Sequence, residues 1–105
     1  MEEIIEEVRH RLFDDGMVAV RIVPYNEREL AVRLLPGPDI VLGKGRSEVA
    51  AIKAFFKLCF PEFSQVRRAR TLEDIAISIS GYDLVKNITA RWIVIQRARG
   101  LKQTT

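Results

Sequence analysis

The sequence predicts an α+β fold: a three- or four-stranded antiparallel sheet with helices packed on one face. Three observations point there. Apolar residues recur at spacings of three and four over residues 2–14 and 47–60. Two-residue alternation runs through Met17–Val23 and again through Leu30–Leu34. A Pro24-Tyr25-Asn26-Glu27 turn separates the two alternating runs, which makes them a hairpin and its strands antiparallel. With 105 residues the chain is a single domain, 1–105, small enough that dimerisation would help it bury apolar surface.

In the first helix Ile4, Ile5, Val8, Leu12 and Phe13 form the apolar stripe, and Asp15-Gly16 ends it. In the first strand Val18, Val20 and Ile22 face one way, Ala19 and Arg21 the other. The second strand sets Leu30, Val32 and Leu34 against Ala31 and Arg33 in the same manner. Pro36-Gly37-Pro38 breaks the pattern, and Ile40-Val41-Leu42 is a short third strand. Ser47 to Phe60 is a helix with Val49, Ala51, Ile52, Phe55, Phe56 and Cys59 on its apolar stripe, stopped by Pro61. Phe63 to Arg70 is a connection ending in Arg67-Arg68-Ala69-Arg70.

Two readings compete for each of the last segments. Over 71–80, Ile75, Ile77 and Ile79 alternate with Ala76, Ser78 and Ser80 as in a fourth strand, which is the expectation, whereas Thr71 followed by Glu73-Asp74 would open a helix. Over 83–99, Leu84, Val85, Ile88, Trp92 and Ile95 share a helical face with Gly100 as C-cap, so a helix is expected. Ile88, Thr89 and Trp92-Ile93-Val94-Ile95 are nevertheless good strand formers. Residues 101–105 are expected to fray.

Composition narrows the function classes. No apolar run approaches the length of a membrane span, and Met1-Glu2-Glu3 is acidic where a secretory signal is basic, so a cytoplasmic protein is expected. Cys59 is the single cysteine and reads as a small buried apolar residue. His10 is the single histidine, flanked by Arg9 and Arg11, which leaves no ligand set for zinc or iron. No metal, no cofactor and no small-molecule substrate are expected. Two asparagines and three glutamines against 30% charged residues resemble the composition of thermophile proteins.

Charge is polarised along the chain. Residues 1–15 carry six acids against Arg9 and Arg11, a net of −4, whereas the other 90 residues net +7. Between Lys86 and Lys102 stand five cations and no acid. A basic body with one acidic helix suits an anionic partner, provided that helix points elsewhere.

The most informative stretch is Gly43-Lys44-Gly45-Arg46-Ser47, between a strand and a helix. Its glycines allow a tight turn, Ser47 is a helix N-cap, and Lys44 and Arg46 set two cations beside free helical amides, as a phosphate site requires. The same residues suit an ordinary strand-to-helix turn. The order helix–strand–strand–strand–helix over residues 2–60, with this motif and with Ala51 and Ala54 following, resembles the double-stranded-RNA-binding domain. That family reads G-x-G-x-S, then a lysine pair, then alanines, and the resemblance implies a helix N-terminus placed over phosphates. Here Glu48 and Val49 occupy the positions of the lysine pair, and Ile52 the next basic position.

The sheet face away from the helices is expected to carry Ala19, Arg21, Ala31, Arg33, Ala76, Ser78 and Ser80, a flat surface where two arginines offer planar donors to phosphate. Tyr25 and Tyr82 are the candidates for stacking on bases. Enzyme chemistry finds little support. Pro38-Asp39 with Lys44 imitates a nuclease acid and lysine, but Leu42 stands where the second metal-binding carboxylate belongs. No serine elbow is present, and Gly43–Ser47 is too short for a nucleotide-triphosphatase phosphate loop.

The expectation is therefore a non-enzymatic nucleic-acid-binding protein that contacts the phosphate backbone with little sequence specificity, on DNA or RNA, and forms a homodimer. Its binding residues are Lys44, Gly45 and Arg46 at the turn, Arg21 and Arg33 on the sheet face, and Arg67, Arg68 and Arg70 as a flanking clamp. The alternative is a protein-interaction or assembly module dimerising through Trp92-Ile93-Val94-Ile95, with no nucleic-acid ligand.

Overall fold

In the computed structural model, which describes residues 1–79, 82–87 and 92–97, the chain runs through nine elements. They are α1 (Glu2–Phe13), β1 (Met17–Pro24), β2 (Leu30–Leu34), β3 (Val41–Gly45), α2 (Glu48–Cys59), a 3₁₀ turn (Ser64–Arg68), α3 (Leu72–Ser78), β4 (Tyr82–Asn87) and β5 (Trp92–Arg97). The five strands form one antiparallel sheet in the order β3-β2-β1-β5-β4. The expected α+β architecture, an antiparallel sheet with helices packed against it, is what the chain adopts.

Local chemistry explains the first two thirds. Glu2 and Glu3 in the first turn of α1, with His10 and Arg11 in the last, match the helix dipole. Gly16, at φ 81°, takes the left-handed conformation that ends the helix, and its N–H donates to Leu12 O at 3.0 Å. The β1–β2 turn is held by Asn26, whose Oδ1 accepts from the backbone N–H groups of Arg28 (2.8 Å) and Glu29 (2.7 Å). Ser47 caps α2, its Oγ accepting from Ala50 N at 3.1 Å.

The hydrophobic core lies between the helices and one face of the sheet. Val18, Val20, Ile22, Val32 and Leu34 meet Val8 and Leu12 of α1, and Ile52, Phe55 and Phe56 of α2, all buried. Phe55, Phe56 and Phe60 pack ring against ring at 5.5–5.8 Å, and Phe13 reaches Phe60 edge-on at 5.9 Å. Contacts of this kind are worth about 0.5–1.5 kcal/mol each beyond the area they bury. Arg9 ties α1 to the end of α2. Its guanidinium donates to Cys59 O (2.8 Å) and to both carboxylate oxygens of Glu62 (2.7 and 2.8 Å).

Two expectations are corrected. Residues 71–80 are not a fourth strand: Leu72–Ser78 is helix α3. A capping box decides it, with Thr71 Oγ1 accepting from Asp74 N and Asp74 Oδ2 accepting from Thr71 N. Ile75 and Ile79, four residues apart, then enter the core together. Ser78 and Ala76 are thus part of a helix and not of the sheet face, and Ser80 lies outside the described residues.

Residues 83–99 are likewise not one helix. They contribute β4 and β5, which pair with each other, and β5 also pairs with β1 (Val20 opposite Ile93). These two strands take the sheet from the expected three or four strands to five. The strand-forming character of Ile93-Val94-Ile95, satisfied by a neighbour on each side, prevails over the helical spacing. Gly100 and residues 101–105 lie outside the described residues.

Candidate nucleic-acid interface

The strand register assembles one cationic row on the sheet face away from the core. Arg21 pairs directly with Arg33 across β1 and β2, and Ala31, two residues before Arg33, pairs with Lys44 of β3. Paired residues share a face, so Arg21, Arg33 and Lys44 stand together on the outer side. Ala31 between them is buried. Asp39, from the loop before β3, reaches over this face, with its Oδ1 2.8 Å from Arg33 Nη1 and 3.7 Å from Arg21 Nη2. It offsets one of the two positive charges and is itself 75% exposed. The Nε of Arg21 is buried with no hydrogen-bond partner among the described residues.

At the end of this row an aromatic ring carries a cation. Lys44 Nζ lies 4.5 Å from the centroid of Tyr25, a residue 46% exposed. The turn holds the Tyr25 backbone, since Tyr25 N donates to Glu29 O at 2.9 Å and Asn26 braces the same loop. Arg46 lines a shallow depression of about 590 Å³ beside the same turn, together with Arg28, Glu27 and Glu29.

The glycines of the Gly43–Ser47 motif have a different purpose from the one expected. Gly43 and Gly45 belong to β3 and not to a turn. A Cβ on Gly43 would stand 2.5 Å from Phe55 N and 2.8 Å from Ala51 O, and one on Gly45 would stand 2.5 Å from Ala50 Cβ. Both are glycine because α2 crosses β3 at backbone contact. Glu48 in the first turn already complements the N-terminal dipole of α2. The motif therefore contributes its two cations, and Gly45 is a packing residue.

Arg67, Arg68 and Arg70 are not brought to this face. The first two lie in the 3₁₀ turn, which packs on α2 in the helical layer on the opposite side of the sheet. There they join Lys53 and Lys57, two α2 cations the sequence reading passed over although four-residue spacing puts them on one helix face. Lys53, Lys57 and Arg67 line one small crevice, and Lys53 Nζ donates to Ala69 O at 3.0 Å. Asp74, close to Arg68 and Arg70, spends its carboxylate on the backbone N–H groups of Arg70 and Thr71, which hold it below the usual carboxylate range.

Trp92-Ile93-Val94-Ile95 is no free edge either, since β5 runs between β1 and β4 with backbone partners on both sides. Lys86 and Arg97 fall within β4 and β5, while Arg91, Arg99 and Lys102 lie outside the described residues. Tyr82 opens β4 and is not a turn residue.

The remaining chemical groups have structural surroundings. Cys59 is fully buried and burial pushes its thiol up to about 12, the opposite of an activated nucleophile. His10 is exposed on α1 and pairs with Asp14. Among the described residues no cluster of three or more His, Cys, Asp or Glu could hold a metal ion, and no helix is long and apolar enough to cross a membrane. No protein-family model, curated protein or solved structure matches this chain.

Proposed function

We propose that the protein binds nucleic acid through the outer face of its sheet, gripping the phosphate backbone with little sequence preference. The reading is carried by one observation: an exposed aromatic ring with a lysine over it, at the end of a row of two cross-strand arginines. A flat surface of this composition offers what a single-stranded nucleic acid asks for, a base-stacking platform beside charges that track phosphates. In this role Lys44, Arg46, Arg21 and Arg33 contact phosphate, Tyr25 stacks on a base, and Asp39 moderates the arginine pair. The binding requires no metal and no bond making.

The test is fluorescence anisotropy with labelled single-stranded DNA, duplex DNA and duplex RNA at two salt concentrations. Four phosphate contacts on a single strand imply an affinity loss of about fiftyfold for a fourfold rise in salt. The double reversal Lys44→Glu with Arg46→Glu abolishes that binding while leaving the circular dichroism spectrum unchanged. Flat anisotropy for all three nucleic acids at low salt would refute the reading.

A further inference from the structure

We propose that the helical side of the molecule is a self-complementary surface on which a second copy docks, the acidic face of α1 lying on the basic face formed by α2 and the 3₁₀ turn of its partner. The chain as a whole carries only +3, yet residues 1–15 net −4. Folding keeps the two signs apart but in one layer, because α1 and the 3₁₀ turn both pack against α2.

The charges available on the two faces are opposite in sign. On α1, Glu7 is engaged by Arg11 and Asp14 by His10, while Glu2, Glu3 and Glu6 are exposed and form no ion pair among the described residues. On the other face Lys57, Arg67 and Arg68 are exposed and equally without an ion pair among the described residues. The acid that sits between these cations in sequence, Glu62, is taken by Arg9. Each face also carries a large exposed apolar side chain, Met1 (57%) beside Glu2 and Leu58 (39%) beside Lys57.

A two-fold axis brings both faces into use at once, since acid on base in one direction implies base on acid in the other. That closure favours a second copy over an unrelated acidic or basic partner, which would satisfy only half of the surface. The facing groups are exposed charges, and exposed ion pairs each contribute little. The dimer is therefore weak, and its strength falls with salt. It leaves the outer sheet face open and does not rest on the nucleic-acid reading.

Analytical ultracentrifugation of the full chain without nucleic acid tests it, over a range of protein concentrations at about 0.05 M and about 0.5 M salt. The expected result is a concentration-dependent dimer at low salt whose dissociation constant rises at least tenfold at high salt. The variants E3K/E6K and R67E/R68E each stay monomeric, and mixing them restores dimer mass, because each now carries the charges the other needs. Circular dichroism verifies that both variants are folded; if one is not, the salt response of the wild-type mass decides. A monomer at every concentration at low salt, a dimer insensitive to salt or to the reversals, or reversed variants that fail to recover each other would each overturn the proposal.

Discussion

Asp39 Oδ1 lies 2.8 Å from Arg33 Nη1 and also faces Arg21, the residue directly opposite Arg33 across the β1–β2 pair. Like charges opposite each other on a sheet are destabilising, and the loop carboxylate relieves them. Because Asp39 is mostly exposed, its contribution is small. Asp39→Asn should lower stability by about 0.5–1 kcal/mol in urea denaturation. If the sheet face binds nucleic acid, the same variant should bind more tightly, with a steeper salt dependence, because both arginines are then available to phosphate. Weaker binding by a folded Asp39→Asn would place the ligand elsewhere.

Gly43→Ala tests the purpose of the glycine motif. The added methyl would meet the Phe55 and Ala51 backbones, which cannot turn aside as a side chain could. Overpacking of this sort costs typically about 1–3 kcal/mol, and backbone-to-backbone contact places this site at the upper end. Thermal unfolding measures it directly. A glycine needed only for a ligand's approach would tolerate alanine with little loss of stability.

The Arg9–Glu62 pair should make stability depend on acid. The hydrogen bonds from Arg9 are the main cause that holds the Glu62 carboxyl below its ordinary value. A carboxylate depressed in the folded state contributes stability that is present above its unfolded value, near 4.5, and is lost as pH falls through the folded value. Side chains 35% and 42% exposed keep the contribution at about 1 kcal/mol. Urea titrations from pH 7 down to pH 3 should show that loss in the wild type and not in Glu62→Gln.

Cys59 predicts an alkaline limit. Burial keeps its thiol protonated up to about 12 in the folded chain, against 9.0 for the free group. Above that free value the unfolded chain gives up the proton and the folded chain keeps it, so stability declines progressively as pH rises from 9 toward 12. Cys59→Ala should lack this component of the decline. A thiol reagent at neutral pH should label Cys59 at the rate of opening; fast labelling of the native protein would contradict its burial.

What the sequence revealed and what it hid separate by the range of the interactions. The hairpin was legible because Val18, Val20 and Ile22 alternate with Ala19 and Arg21 along one short stretch, and Ser47 as N-cap lies three residues from the amide it satisfies. Over 71–80 the local evidence pointed both ways. Ile75 and Ile79 fit a strand's period of two and also a helix's spacing of four, and the Thr71–Asp74 capping box settled it. β4 pairs only with its neighbour in sequence, β5, but β5 itself pairs with β1, some 70 residues earlier in the chain, which no window of sequence contains. The candidate site divides the same way. Lys44 was legible as a cation, but its place over Tyr25, the reach of Asp39 to Arg33, and the removal of Arg67 and Arg68 to the helical layer are all tertiary.

Tyr25 and Lys44 allow the stacking and ionic components of the proposed binding to be separated. The two side chains touch, so loss of either alone would be hard to interpret from affinity only. Salt provides the second axis. Lys44→Ala removes one phosphate contact, so the slope of log affinity against log salt should become shallower by about 0.7 on a single strand. Tyr25→Ala removes no charge, and should lower affinity by about 1–3 kcal/mol at every salt concentration with the slope unchanged. Tyr25→Phe should retain most of the affinity, since stacking uses the ring and not the hydroxyl. If Tyr25→Ala instead leaves affinity intact while Lys44→Ala reduces it, the ring serves only to position the lysine, and the sheet face recognises phosphate without bases.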